Sequence, residues 1–172
     1  HVIAKVHLAG KKEIEKACQS AIDAQKDWIN LGMDKRAQIF EKCAELLAGK
    51  WRMKINASTM LNQSKTAFQA EIDAACELID FWKCNAHYVR EFHEQYQPLV
   101  SPEGNLNTTE IRPLEGFVLA VTPFNFTSIA ANLPSAPAIV GCTALWKPSR
   151  NSYHSNYLLM ELMMEAGLPA GV

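Results

Sequence analysis

The 172 residues of the chain are 48% hydrophobic and 20% charged, and the formal net charge is −1. This composition is typical of a globular protein and excludes disordered, collagen-like and coiled-coil chains. The near-neutral charge gives no indication of a nucleic-acid or anionic-membrane partner, and no apolar run approaches the roughly 18–20 residues of a membrane span.

The cysteines and histidines do not form a recognisable site. The cysteines stand at positions 18, 43, 76, 84 and 142, without the close pairs of a disulfide framework, and the histidines lack metal-ligand spacing. We therefore expect reduced thiols in an intracellular compartment and no bound metal. The chain begins with His1 rather than methionine, which indicates processing or a start inside a longer reading frame.

Helical periodicity dominates the first half of the chain. Alternating residues predict a short strand over 1–9. Apolar residues at helical spacing then predict four helices, over 11–31, 34–49, 51–63 and 66–96. We expect Asp34 to be the N-cap of the second helix, and Gly49 and Pro98 to end the second and the fourth.

The second half consists of short apolar runs between Pro, Gly and Asn. These runs predict strands over 108–112, 116–122 and 142–146, and helices over 127–140 and 151–166. The almost uniformly apolar run 116–121 is typical of a strand buried on both faces. The strand–helix–strand–helix order predicts a doubly wound parallel α/β unit, and an unfinished one, because such a sheet needs further strands.

The two predicted parallel strands end in polar turns. The first ends in Thr-Pro-Phe-Asn-Phe-Thr over 122–127, and the second in Trp-Lys-Pro-Ser over 146–149. Ligands of open α/β sheets bind at the carboxyl ends of strands, so Asn125 and Lys147 should project where a ligand would lie. The alternatives are an asparagine that caps the next helix or closes its turn, and an ordinary surface lysine.

These two turns resemble the aldehyde dehydrogenase superfamily. In that family a Pro-Trp/Phe-Asn-Phe turn precedes a Lys-Pro-Ser turn at about this interval, and the next helix typically ends Glu-Ala-Gly-Leu-Pro, as in 165–169. Residues 69–81 and 114–118 are similar to the eukaryotic pyrroline-5-carboxylate dehydrogenases. The similarity runs along nearly all of the chain.

The resemblance implies an α/β fold with three parts. Residues 1–97 would be the helical N-terminal part of the NAD-binding domain, 98–115 a connecting strand used in oligomerisation, and 116–172 the start of a Rossmann-like parallel sheet. The implied function is NAD-dependent oxidation of L-glutamate γ-semialdehyde to L-glutamate in proline degradation, as part of a longer chain. The resemblance also implies a mitochondrial matrix enzyme and a homo-oligomer with a small-molecule substrate.

Residue roles follow from the same resemblance. Asn125 would be the catalytic oxyanion donor, and Lys147 would bind the adenosine ribose hydroxyls of NAD. The cofactor-binding residues it implies are Thr122, Pro123, Phe124, Lys147, Pro148 and Ser149. Glu77 would face the substrate's amino group and Phe126 would form an apolar wall of the pocket. The alternative for Glu77 is a solvated helix face that it shares with Asp73 and Asp80.

Two of the family's catalytic motifs do not occur in the 172 residues. The nucleophile lies in a Gly-Gln-Lys-Cys-type loop and the general base in a Glu-Leu-Gly-Gly-type strand, and neither sequence is present. Cys142 starts an apolar strand without a basic neighbour, so we interpret it as a core residue. The 172 residues alone are expected to be inactive. The alternatives are an inactive truncated paralogue or isoform that acts as a binding or assembly module, and another aldehyde dehydrogenase subfamily.

Overall fold

The computed structural model describes residues 2–95, 99–113 and 116–172. We number the elements in chain order as α1 (Lys11–Asn30), α2 (Met33–Ala48), α3 (Arg52–Gln63), α4 (Ala67–Ala70), a π-helical segment (Glu71–Glu77), α5 (Leu78–Gln95), β1 (Phe117–Val121), α6 (Thr127–Ile139), β2 (Thr143–Lys147), a 3₁₀ turn (Arg150–Ser152) and α7 (Tyr153–Ala166). The fold is therefore a helical first half followed by a small parallel α/β unit, as predicted.

The four predicted helices of the first half are confirmed, with two differences. Gly32, not Asp34, is the N-cap of α2, because its φ of 87° turns the chain sharply out of α1. Asp34 lies in the first turn, where its Oδ1 accepts a hydrogen bond from Arg90 Nε at 3.1 Å. The fourth helix is continuous but contains the π-helical segment, which periodicity did not predict. Its predicted end, at Tyr96 and Pro98, lies outside the described residues.

Two predicted strands are wrong. Residues 2–9 and 108–112 adopt neither helix nor strand, and most of their side chains are exposed. The sheet formed by the described residues contains only β1 and β2, so neither segment has a strand beside it. Alternation marks a segment that is able to form a strand, but a strand exists only where a neighbour supplies the hydrogen bonds. His1 is outside the described residues, and the three-part division of the chain stays a prediction.

The two strands are parallel, and α6 crosses between them. Their register pairs Phe117 with Thr143 and Val121 with Lys147. The Thr143 hydroxyl donates to the Ala21 carbonyl of α1 at 2.8 Å, whereas Ala144 points to the other face and lines a small cavity with Pro134 of α6. Because successive side chains alternate between faces, α1 and α6 lie on opposite faces of the sheet.

β1 is less buried than its apolar sequence predicted. Leu119 and Val121 are 62% and 59% exposed, so burial on both faces is wrong for this structure. Both residues lie on the α1 face, but α1 reaches only the beginning of the strands, where Gln25 Nε2 donates to the Gly116 carbonyl at 2.6 Å. The carboxyl half of β1 is therefore uncovered on that face.

Arg36 joins the helical half to the α/β unit. Its buried guanidinium donates to the carbonyls of Trp28, Ile29 and Ile139 at 3.1–3.3 Å. These carbonyls lie in the last turns of α1 and α6, where helix carbonyls lack partners within the helix and attract positive charge. The Ile29 carbonyl also accepts from the Gly32 amide at 3.2 Å. Burial lowers the pKa of Arg36. One cation thus fixes the carboxyl ends of two helices and, through α6, the start of β2.

The hydrophobic core lies mainly between α2, α5, α6 and α7, and α1 contributes Trp28 to it. Its largest fully buried side chains include Trp28, Phe40, Leu47, Trp82 and Leu159. Among the helices of the described residues, none has the length and apolar character needed to cross a membrane.

Candidate functional site

The structure brings the two predicted turns together at the carboxyl edge of the sheet. The Thr122 amide donates to the Lys147 carbonyl at 3.2 Å, and Trp146 Nε1 donates to the Thr122 hydroxyl at 3.1 Å. Thr122 is buried by these contacts, with 5% exposure. The turn that carries Asn125 and the turn that carries Lys147 therefore start from adjacent, hydrogen-bonded positions.

The side chain of Asn125 does not cap the following helix. The N-cap of α6 is Phe126, and no side chain at that position bonds the helix. Asn125 is exposed, and among the described residues only its backbone carbonyl has a hydrogen-bond partner, Lys65. The structure thus removes the capping alternative and leaves the Asn125 amide available to a ligand.

A carboxylate from another helix caps α6 instead. Asp73 Oδ2 accepts from the Thr127 amide at 3.0 Å, and Oδ1 accepts from the Ser128 amide at 3.0 Å and its hydroxyl at 2.9 Å. The first amides of a helix lack partners within the helix and favour a negative charge. Asp73 is 2% exposed, so its assignment to a solvated face is wrong.

Lys65 lies against both this carboxylate and the Asn125 turn. Its Nζ donates to Asp73 Oδ2 at 2.5 Å and to the Asn125 carbonyl oxygen at 2.5 Å. The same ammonium lies 4.4 Å from the centre of the Phe126 ring. Only 16% of the Lys65 side chain is exposed, so its charge is compensated mainly by Asp73.

Glu77 lies one turn after Asp73 and also faces the start of α6. It is half-buried, and its Oε2 accepts from the Ser128 hydroxyl at 2.9 Å. This contact shows that Glu77 is not part of a freely solvated face, whereas Asp80 is exposed. A role for Glu77 towards a substrate remains a prediction.

The hydroxyl of Thr127 is bound by α3. It pairs with the Thr59 hydroxyl at 2.9 Å and accepts from Gln63 Nε2 at 2.8 Å. The first residue of α6 is therefore held by α3 through its side chain and by Asp73 through its amide. The turn before it is a rigidly anchored segment rather than an open loop.

The remaining predicted residues line the same edge. Phe124 and Phe126 are 60% and 36% exposed, and Pro123 is half-buried. Lys147 is exposed and forms no ion pair with any residue that the structure describes. Pro148 and Ser149 are half-buried, and the Ser149 carbonyl accepts from the Ser152 amide at 3.0 Å. An exposed ammonium at a strand end fits the hydroxyl and phosphate oxygens of a dinucleotide. The cofactor roles of these residues stay predictions.

Sequence reasoning missed Lys65 and Asp73. A signal was present: Ala70, Asp73, Ala74 and Glu77 follow the i, i+3, i+4, i+7 spacing of one helix face, and small residues on that face allow close packing. A second signal was α6 itself, which starts after Phe126 without a capping side chain of its own. Cys142 is buried, with 1% exposure, as its interpretation as a core residue predicted.

A model of the aldehyde dehydrogenase family matches residues 1–172. A delta-1-pyrroline-5-carboxylate dehydrogenase of Agaricus bisporus is 49% identical over 96% of this chain and 30% of its own length. The mitochondrial delta-1-pyrroline-5-carboxylate dehydrogenase of Homo sapiens is 46% identical over 100% of this chain and 30% of its own length.

A solved structure agrees with these relatives. The crystal structure of the delta-pyrroline-5-carboxylate dehydrogenase from Mycobacterium tuberculosis bound with NAD is 52% identical, with a TM-score of 0.90 over 93% of this chain and 30% of that chain. The present chain thus spans about a third of the length of the proteins that it matches.

Proposed function

Because this chain belongs to the aldehyde dehydrogenase family, we propose that it supplies the oxyanion donor and part of the NAD site of a pyrroline-5-carboxylate dehydrogenase. The proposed enzyme oxidises L-glutamate γ-semialdehyde, the open form of pyrroline-5-carboxylate, to L-glutamate in proline degradation. The relatives described above are named for that substrate, and one was crystallised with NAD.

One observation carries the proposal. The Asn125 turn and the Lys147 turn begin at adjacent positions of a parallel sheet, joined by the hydrogen bond from the Thr122 amide to the Lys147 carbonyl at 3.2 Å. Both side chains are exposed at the edge where ligands of such sheets bind. An amide donor and a cation so placed can serve the two ends of one extended cofactor–substrate complex.

Asn125 would act on the reacting carbonyl. When a nucleophile adds to an aldehyde, negative charge develops on the carbonyl oxygen, and a preorganised amide donor stabilises that charge. The anchored start of α6 keeps the donor in place before the substrate arrives, so no reorganisation accompanies the reaction. NAD, when bound, accepts the hydride that makes the step an oxidation.

The nucleophile is proposed to come from a longer polypeptide. The Gly-Gln-Lys-Cys-type sequence is not among the 172 residues, and Cys142 is 1% exposed and thus inaccessible to an aldehyde. Here we place this chain at the N-terminal side of the NAD-binding domain of the complete enzyme, which we expect to be a homo-oligomer. Several relatives are named as mitochondrial, which supports a mitochondrial matrix location.

Glu77 and Phe126 are the proposed substrate contacts. One Glu77 oxygen bonds Ser128, which leaves the other able to face the amino group of the substrate. Phe126 is partly exposed beside Asn125 and provides an apolar surface for the aliphatic part of the substrate.

A substrate comparison tests the proposal. The complete enzyme would be assayed by NADH absorbance with glutamate γ-semialdehyde, an unbranched aliphatic aldehyde and betaine aldehyde. We expect kcat/KM for the semialdehyde to be higher by about tenfold or more, which corresponds to 1.4 kcal/mol of transition-state binding. A higher value for another aldehyde would assign a different subfamily, and no activity with any aldehyde would support a non-catalytic module.

A further inference from the structure

We infer that Lys65 and Asp73 are a pair of positioning residues, which set the geometry of the Asn125 turn without touching the substrate. The inference rests on the proposed role of Asn125 as the oxyanion donor. Its basis is a chain of contacts that runs from the π-helical segment through Asp73 and Lys65 to the backbone of Asn125.

Asp73 determines where α6 begins. It accepts from the amides of Thr127 and Ser128 at 3.0 Å each, and Phe126, the N-cap residue, offers no acceptor side chain of its own. The local sequence therefore does not define the helix start, and a carboxylate 54 residues away does. The π-helical segment that carries Asp73 is a feature often found at functional sites.

Lys65 transmits this anchor to the turn. Its ammonium bonds Asp73 Oδ2 and the Asn125 carbonyl oxygen at 2.5 Å each, so one cation joins the helix cap to the peptide that follows Asn125. The orientation of that peptide helps to set the backbone of Asn125 and hence the direction of its side chain. The contact with the Phe126 ring at 4.4 Å restrains the next residue as well.

The burial of this pair favours a geometric role. Removing an ammonium and a carboxylate from water is costly, and apolar residues often serve stability equally well. Lys65 and Asp73 are 16% and 2% exposed, yet their polar atoms converge on the turn that carries the proposed donor. A purely structural pair would affect every property of the enzyme, whereas a positioning pair would act on turnover through Asn125.

A double-mutant cycle in the complete enzyme separates these roles. We expect Lys65→Met to lower kcat by about 10–100-fold, the scale of an ångström-sized displacement of a reacting group. The dissociation constant of NAD, measured by titration, should stay within about twofold, because Lys65 contacts Asp73, Asn125 and Phe126 and none of these is a proposed cofactor residue. In an Asn125→Ala background, Lys65→Met should lower kcat by less than about twofold, because its effect acts through a side chain that is already absent.

Lys54→Met is the matched control. Lys54 also lies 4.4 Å from an aromatic ring centre, that of Trp51, and 3.7 Å from a carboxylate oxygen, that of Glu161. Neither contact involves the Asn125 turn, so the replacement of Lys54 should leave kcat unchanged. Asp73→Asn provides a second route to the same result if Lys65→Met fails to fold, and it should show the same loss of kcat and the same non-additivity.

The outcomes are distinguishable. A wild-type kcat for Lys65→Met would overturn the positioning role. So would a double variant whose fold-loss of kcat equals the product of the fold-losses of Lys65→Met and Asn125→Ala. Neither result would contradict the role of Asn125 as the oxyanion donor. If the dissociation constant of NAD rises by the same factor by which kcat falls, the pair is purely structural and the inference is overturned too. Normal turnover of Asn125→Ala alone would contradict the proposed function itself.

Discussion

Replacement of Lys147 by alanine tests the cofactor site without disturbing the fold. Lys147 is exposed at the last position of β2, and its ammonium makes no ion pair with any residue that the structure describes. The free energy of unfolding should therefore change by no more than about 0.5 kcal/mol, as for other exposed residues. The whole effect should fall on ligand binding.

The expected loss follows from the kind of contact. A hydrogen bond from a charged donor contributes about 1.5–3 kcal/mol, which corresponds to roughly 10–150-fold in the dissociation constant of NAD. At saturating NAD, kcat should stay within about threefold, because Asn125 and the reacting carbonyl are unchanged. Lys147→Arg retains a cation and should lose less affinity.

The assay is isothermal titration of NAD into the complete enzyme, its Lys147→Ala variant and a Lys83→Ala control. Lys83 is likewise exposed but lies on α5, away from the sheet edge. Equal dissociation constants for wild type and Lys147→Ala would refute the cofactor role. If Lys83→Ala also binds NAD more weakly, the loss reflects the net charge of the protein rather than a contact between Lys147 and NAD.

Three further predictions concern the fold, the substrate and the isolated chain. Arg36→Met should lower the free energy of unfolding in urea by about 2–5 kcal/mol, because the buried carbonyls of Trp28 and Ile139 lose their donor; a loss below about 1 kcal/mol would contradict this. Glu77→Gln should raise KM for glutamate γ-semialdehyde about tenfold and leave an aliphatic aldehyde unaffected, and equal effects would contradict substrate recognition. The isolated 172 residues should produce no NADH and bind NAD weakly, since they lack the nucleophile motif; robust turnover would implicate Cys142.

The helices and the parallel strands were predictable because each has a local signal. Period 3.6 defines α1 to α3, with glycines that end α1 and α2, and two apolar runs around an alanine-rich helix define β1, α6 and β2. The adjacent starts of the Asn125 turn and the Lys147 turn followed from a topological rule, that the carboxyl ends of parallel strands share an edge. The order of strands and helices along the sequence was therefore sufficient for this prediction.

The wrong elements depend on partners that local sequence does not contain. Residues 2–9 and 108–112 alternate like strands, but no strand of the described residues lies beside them. Leu119 and Val121 are apolar and yet exposed, because α1 covers only the other end of the sheet. The burial of a strand depends on the elements that pack against it, so the sequence of that strand alone does not determine it.

The hydrogen bonds of Asp73 that anchor the Asn125 turn could not be predicted from the sequence for a related reason. Asp73 and Ser128 are 55 residues apart, and their hydrogen bonds depend on how the π-helical segment meets α6. An aspartate near Glu77 and Asp80 is ordinarily assigned to solvent. The capping requirement of α6, which Phe126 does not meet, indicated that a carboxylate from elsewhere binds the first amides of the helix.

The turnover number of Asn125→Ala is the most direct test of the central claim, that this chain supplies the oxyanion donor of an NAD-dependent aldehyde dehydrogenase. In the complete enzyme, kcat should fall by roughly 10²–10³-fold, the usual loss for one such donor, while NAD affinity stays nearly unchanged. Asn132→Ala is the control, because that asparagine lies further along α6 and bonds Asn85. Wild-type turnover by Asn125→Ala would contradict the account.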